Sequence, residues 1–153
     1  MSKRIIYNFF SDDELLRISN KIKEAEKKTS AEIVVVIKEE RKLFERKKTL
    51  RELAEDEFIK AGIVNTAEKT GVLIFILLSE KQFYILADKK ISDNIPQQTF
   101  DSIANEMSNQ FKSGKFSSGI INCIERLSEL LSRNFPIKPN DIDELSNQVR
   151  IDL

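Results

Sequence analysis

One apolar run constrains the fold of this chain more than any other feature. Residues 71–78, Gly-Val-Leu-Ile-Phe-Ile-Leu-Leu, include no polar side chain. A strand with one face in water alternates polar and apolar residues, whereas a strand covered on both faces reads as a continuous apolar run. The run is also far too short to cross a bilayer as a helix. It therefore predicts a central strand of an α/β fold, with helices on both faces.

Two further segments complete a small sheet. Residues 32–37, Glu-Ile-Val-Val-Val-Ile, are β-branched without polar alternation and predict the first strand. A helical pattern separates this strand from the central one, so the two are expected to be parallel. Residues 82–87 predict a third strand, and the short connection at residues 79–81 joins antiparallel neighbours. The expected sheet is mixed, a parallel βαβ unit plus an antiparallel hairpin.

Four segments repeat apolar residues at helical spacing. Their limits are marked by a capping box that begins at Ser11, by Gly62, by Pro96 and by a break at residues 112–115. Helices placed between and after the strands cover both faces of the sheet. We therefore predict a three-layer α/β/α sandwich with about four helices, formed by residues 1–135.

The apolar pattern stops after this domain. Residues 136–153 contain Pro136, Pro139 and several acids, with few apolar side chains. Such a segment buries too little apolar surface to offset the loss of chain entropy on ordering. We expect a flexible acidic C-terminal tail.

Charge and residue usage exclude several classes of function. Lys and Arg together number 25, as do Asp and Glu, so no overall field favours nucleic acid. Histidine is absent, which removes Ser-His and Cys-His nucleophile pairs. The one cysteine, Cys123, lies on the apolar face of the fourth helix and is expected to be buried. No leader or membrane span is visible, and we expect a cytoplasmic monomer.

The predicted topology brings charged residues to one edge of the sheet. The starts of the first two strands and the end of the third lie together there, so Glu32, Gly71, Asp88 and Lys89 converge. Glu32, Asp88 and Asp93 are candidate ligands for calcium or magnesium, which prefer oxygen. Asp88 and Lys89 are the candidate catalytic residues. Alternatively, these side chains are ordinary polar strand ends, paired with neighbouring lysines.

Two other regions could carry function. Ligands of open α/β sheets usually bind at the carboxyl ends of parallel strands, which are residues 37–40 and 78–80 here. Residues 38–51 are rich in Lys and Arg and could form a local basic face for phosphate-bearing partners. A solvated helix start with internal salt bridges explains the same basic residues.

Several short motifs resemble one known family, the TPM domain family. They occur in order over about residues 9–135: Phe10-Ser11 at a helix start, residues 29–35, residues 65–74, Ala87-Asp88-Lys89 and residues 111–120. The resemblance implies an α/β/α sandwich. The family includes a thylakoid-lumen photosystem II repair protein, a nematode receptor modulator and many bacterial proteins. This chain resembles a short soluble bacterial branch that ends in a similar acidic tail.

The resemblance also implies a candidate activity. The family is often labelled a phosphatase, with acidic residues and a divalent ion at its cleft. This chain has Ala87 where relatives commonly carry Gly before the Asp, and Lys90 where Gly commonly follows the Lys. Glycine there would permit positive φ and close approach of backbone amides to an anion. The two departures favour a binding role over catalysis.

We therefore carry two hypotheses. In the first, the chain is a non-catalytic interaction or adaptor module for an unknown protein partner. In the alternative, it is a metal-assisted phosphoester hydrolase. There, Glu32, Asp88 and Asp93 hold a divalent cation that polarises the phosphoryl group and activates water, and Lys89 stabilises developing charge.

Overall fold

The computed structural model describes residues 5–62, 70–137 and 150–152. The helices are α1 (Asp12–Glu26), α2 (Leu50–Lys60), α3 (Lys89–Ser92), α4 (Gln97–Lys112) and α5 (Phe116–Asn134). The strands are β1 (Glu32–Lys38), β2 (Gly71–Leu77), β3 (Gln82–Ala87) and β4 (Arg150–Asp152). Short 3₁₀ turns occur at Ile5–Asn8, Leu43–Glu45 and Leu78–Glu80.

The strands form one mixed sheet in the order β3-β2-β1-β4. β1 and β2 are parallel, with Glu32 opposite Gly71, and β2 and β3 form an antiparallel hairpin with Val72 opposite Ala87. All seven residues of β2 are buried. The predicted βαβ unit, hairpin and doubly covered central strand are confirmed.

The sheet separates two apolar layers. Alternate residues of β1, such as Ile33 and Val35, pack with α1, α4 and α5 on one face. The intervening residues, such as Val34, pack on the other face against Leu53 and Phe58 of α2. The α/β/α sandwich predicted from the sequence is therefore confirmed. No helix in the described part of the chain is long and apolar enough to cross a membrane.

Local sequence sets most helix limits. The Ser11 hydroxyl accepts from the Glu14 amide while the Glu14 carboxylate accepts from the Ser11 amide, so a reciprocal capping box starts α1. Thr49 and Glu52 form the same motif at the start of α2. Gly114, with φ of 80°, adopts the left-handed conformation that separates α4 from α5.

Two elements differ from the predicted set. β4 adds a fourth strand by pairing parallel to the end of β1, although the tail composition predicts no strand there. Three residues are too few to show a strand period, and their partner is supplied by the edge of β1. Residues 138–149 of the predicted tail lie outside the described residues. The four-residue α3 is likewise too short for a helical pattern, and it follows from Asp88 acting as its N-cap.

Candidate functional site

The sheet edge that the sequence singles out is built around Gly71. The Glu32 amide donates to the Thr70 carbonyl at 3.0 Å, and the Asp88 amide donates to the Gly71 carbonyl at 3.0 Å. Residues that pair across neighbouring strands point to the same face. Glu32, opposite Gly71, therefore belongs to the α2 face of the sheet, and Asp88 follows β3 on the other side of Gly71.

The Asp88 carboxylate is held by backbone donors. Its Oδ2 accepts from the Gly71 amide at 2.7 Å, and its Oδ1 accepts from the Ile91 amide at 3.4 Å. Burial raises the pKa of the Asp88 carboxyl above its ordinary value, although the amides of Gly71, Ile91 and Lys90 and the charge of Lys90 oppose this. Asp88 thus fixes the start of β2 to the first turn of α3.

Lys89 and Asp93 lie on the solvent side of α3. Their side chains are 81% and 61% exposed, and Lys89 Nζ lies 3.5 Å from Asp93 Oδ2. Among the described residues, no three acidic, Cys or His side chains form a group that could hold a metal ion. The structure thus places Glu32 and Asp88 on either side of Gly71, with Asp93 paired to Lys89 at the surface.

A groove opens beside Asp88 between α2 and β3. Its volume is about 440 Å³. We call it the α2–β3 groove, and it is lined by Arg51, Glu55, Phe58, Ile59, Leu86, Ala87, Asp88 and Lys89. Two of the predicted candidates, Asp88 and Lys89, therefore lie at one end of it.

The groove has an apolar floor and a charged rim. Phe58 and Leu86 are buried, whereas Ile59 is 65% exposed. Arg51 Nη1 donates to the Tyr84 hydroxyl at 3.0 Å, and its guanidinium carbon lies 6.0 Å from the centre of the Tyr84 ring. The rim guanidinium is therefore held in place by a hydrogen bond and a cation–π contact.

The groove residues of α2 are absent from the predicted site. Arg51 is the last residue of the basic segment 38–51, whereas Glu55 and Ile59 read as ordinary helix positions and Phe58 reads as core. The one signal is Ile59, an apolar residue outside the apolar stripe of α2 that contains Phe58. Its neighbour across the groove, β3, is assigned only by the tertiary structure.

The opposite end of the α2 face holds a buried ion cluster. Lys38 is 1% exposed, and its Nζ lies 3.2 Å from Glu45 Oε1 and 4.0 Å from Glu57 Oε1. Burial alone would raise the pKa of Glu45, but the Lys42 amide and the Lys38 ammonium lower it overall. The interpretation of residues 38–51 as a solvated helix start is therefore wrong for Lys38. That residue ends β1 and points into the layer formed by α2.

Cys123 is buried, as its position on the apolar face predicts. Only 3% of the residue is exposed, and burial raises the pKa of the Cys123 thiol to about 12. The thiolate is the nucleophilic form of cysteine. Cys123 is therefore a core side chain.

Comparisons with known proteins agree with this architecture. The structure is similar to the NMR structure of the BA42 protein from the psychrophilic bacterium Bizionia argentinensis, with a TM-score of 0.84 and 34% identity over 99% of this chain and 100% of that one. It also matches the fold of the N-terminal domain of a protein from P. gingivalis, with a TM-score of 0.68 and 14% identity over 83% of this chain and 79% of that one. No curated protein matches the sequence.

The family comparison covers most of the chain. The model of the TPM domain matches residues 7–130, which include α1, the three long strands, Asp88 and most of α5. The match agrees with the resemblance seen in the sequence motifs. This chain belongs to the TPM domain family.

Proposed function

We propose that the chain is a binding domain without catalytic turnover, which recognises a protein partner through the α2–β3 groove. The main support is the hydrogen bonding of the carboxylate of Asp88, which is the central candidate catalytic residue. Both oxygens of its carboxylate accept hydrogen bonds from backbone amides, those of Gly71 and Ile91. Those bonds fix the backbone at one end of the groove.

The chemistry of the groove suits a partner side chain. Its volume of about 440 Å³ lies within the range of binding pockets, about 300–1,000 Å³. Phe58 and Leu86 offer an apolar floor, and the exposed Ile59 extends it. The cationic groups of Arg51 and Lys89 stand at the rim. An apolar side chain accompanied by a carboxylate fits this arrangement.

Replacing Ile59 tests the groove. Ile59→Asp places a charge on the apolar surface, and because Ile59 is 65% exposed the fold is expected to persist. A protein captured by the unmutated chain from native cell extract is identified by mass spectrometry, purified and titrated. We expect the variant to bind roughly 30-fold more weakly or worse, as at an interface hot spot.

Leu16→Asp is the matched control. Leu16 is 59% exposed on α1, the layer on the other side of the sheet from α2. The purified partner should bind this variant with unchanged affinity. Equal binding to the unmutated chain and to Ile59→Asp would exclude the groove as the interface.

The hydrolase remains a second candidate because of one specific arrangement. Glu32 and Asp88 lie on either side of Gly71, and Lys89 follows Asp88 directly in the chain. For this mechanism Glu32, Asp88 and Asp93 would have to come together, which they do not do here, to hold a calcium or magnesium ion. Such an ion would polarise a phosphoryl group and activate water. Lys89 would stabilise the charge that develops on the phosphoryl oxygens.

Asp88→Asn separates the two candidates. Asparagine keeps one acceptor oxygen but turns its amino group toward a second backbone donor. We expect a loss of about 1–3 kcal/mol, or roughly 2–12 °C in melting temperature, with or without cations. If Asp88 binds a cation, millimolar calcium or magnesium should raise the melting temperature of the unmutated chain only.

Calorimetry with and without each cation measures both effects. The absence of any cation-dependent rise in the unmutated chain would remove the mechanism of the hydrolase. A rise that Asp88→Asn abolishes, together with hydrolysis of a phosphoester that the same variant loses, would instead contradict the non-catalytic proposal.

A further inference from the structure

Two neighbouring apolar side chains project from the surface and are not among the residues that line the α2–β3 groove. Leu43 and Phe44 are 73% and 74% exposed, more than any other large apolar residue in the described part of the chain. Scattered single apolar residues are normal on protein surfaces, but an adjacent pair of this exposure points to a contact surface. The pair lies in the 3₁₀ turn between β1 and α2.

Hydrogen bonds and ion pairs anchor the turn to its neighbours. Arg41 Nε lies 2.6 Å from Glu80 Oε2, and Arg41 Nη1 donates to the Glu45 carbonyl at 3.0 Å and to the Lys48 carbonyl at 2.5 Å. The Glu45 carboxylate points inward to the buried Lys38 ammonium. The exposure of Leu43 and Phe44 is therefore a property of a fixed turn rather than of a loose loop.

Positive charge surrounds the apolar pair. Lys42, Arg46 and Lys47 are exposed, whereas Glu45, the one acid among residues 42–47, is buried beside Lys38. Glu40 is the exposed acid that precedes the turn. The whole chain has no net charge, so the excess of positive charge around Leu43 and Phe44 is a local feature of the surface.

We propose that residues 42–47, the basic turn, bind an anionic lipid surface. Leu43 and Phe44 enter the interface, and the cationic groups of Lys42, Arg46 and Lys47 lie at the level of the lipid phosphates. Apolar insertion combined with basic residues is the physical basis of peripheral membrane binding. A convex turn with two exposed apolar tips suits a fluid interface better than a preformed protein groove.

A tryptophan reporter tests insertion directly, because the chain contains no tryptophan. Phe44→Trp is titrated with phosphatidylcholine vesicles that contain phosphatidylserine, and with vesicles of phosphatidylcholine alone. Its emission should shift to shorter wavelength with the anionic vesicles. Leu16→Trp on α1 is the control, and its emission should stay unchanged while the protein sediments with the same vesicles.

Two double variants separate the apolar and charged contributions. Leu43→Ser combined with Phe44→Ser should weaken vesicle binding roughly tenfold or more. Arg46→Gln combined with Lys47→Gln should weaken it roughly 25-fold, about fivefold for each charge. Lys27→Gln combined with Lys28→Gln removes two exposed lysines from the end of α1 and should leave binding near its original value.

Several outcomes would overturn the proposal. These are failure of the unmutated chain to sediment with anionic vesicles, equal binding to neutral vesicles, or full binding by the Leu43 and Phe44 double variant. Sedimentation velocity without lipid measures whether the chain self-associates. Self-association that this double variant abolishes, without vesicle binding, would assign the turn to contact between two copies of the chain instead.

Discussion

Lys38→Met is expected to lower the free energy of unfolding by about 3–5 kcal/mol. Lys38 is almost fully buried, and its ammonium lies 3.2 Å from the Glu45 carboxylate and 4.0 Å from the Glu57 carboxylate. Methionine preserves the length of the side chain but removes the charge. The carboxylates of Glu45 and Glu57 then stay buried without a cation beside them. The cost of removing these charges from water is no longer offset, and the folded state is destabilised.

The loss should depend on pH. In the unmutated chain the folded-state pKa of Glu45 lies below its ordinary value of 4.5. Ionised Glu45 therefore contributes stability above that value, and the contribution is lost as pH falls through the lower folded-state pKa. In Lys38→Met the ammonium that lowers the pKa is absent. The difference in stability between the two proteins should be largest at neutral pH and should shrink below about pH 4.5.

Urea unfolding across pH measures both effects. Lys48→Met is the matched control because the Lys48–Asp56 pair, at 2.5 Å, is partly exposed and screened by solvent, so its loss should lower stability clearly less than the loss of Lys38. Adding Glu45→Gln to Lys38→Met should recover part of the stability. Equal losses for Lys38→Met and Lys48→Met would contradict the role of the buried cluster.

Phe111→Ala is the second change with a large expected effect, about 3–5 kcal/mol, or roughly 6–20 °C in melting temperature. Phe111 is fully buried at the centre of an aromatic cluster. Its ring centre lies 4.5 Å from that of Phe83 and 5.2 Å from that of Phe116, and Phe9 and Phe10 lie within 6.5 Å. Alanine would leave a cavity between α4, β3 and the N-terminal segment.

Thermal unfolding followed by circular dichroism checks this loss. Phe111→Leu keeps most of the apolar volume and should cost clearly less than Phe111→Ala. Tyr7→Ala removes an aromatic ring that is 59% exposed and should change stability by less than about 0.5 kcal/mol. A Phe111→Ala loss no greater than that of Tyr7→Ala would mean that the cluster does not stabilise the core.

Much of the fold follows from local patterns. The apolar run of β2 predicts cover on both faces because a residue exposed to water there would be polar. Ser11 with Glu14 predicts the start of α1 because the capping hydrogen bonds join residues only three apart. By contrast, Lys38 reads as a solvated basic residue, since its two acidic partners come from the following turn and from α2, which enclose it only in the packed structure.

The candidate site is likewise predictable from the sequence only in part. Strand directions alone bring Glu32, Gly71 and Asp88 to one edge. The backbone hydrogen bonds that engage the Asp88 carboxylate depend on the path of α3, which is too short to leave a periodic signal. Ile59 lines the α2–β3 groove only because α2 crosses the sheet beside β3.

Local sequence patterns predict the layers of this protein, its three long strands, the start of α1 at the Ser11 capping box, and the helix ends that precede positive-φ glycines. Each of these is encoded by neighbouring residues, through periodic burial or short-range hydrogen bonds. Three features follow from tertiary contacts instead: β4 pairs with β1, Lys38 is buried, and Leu43 and Phe44 project from a turn held by Arg41. Each depends on a contact with another element: β4 with β1, Lys38 with Glu57 of α2, and Arg41 with Glu80. Such contacts exist only after the layers have packed.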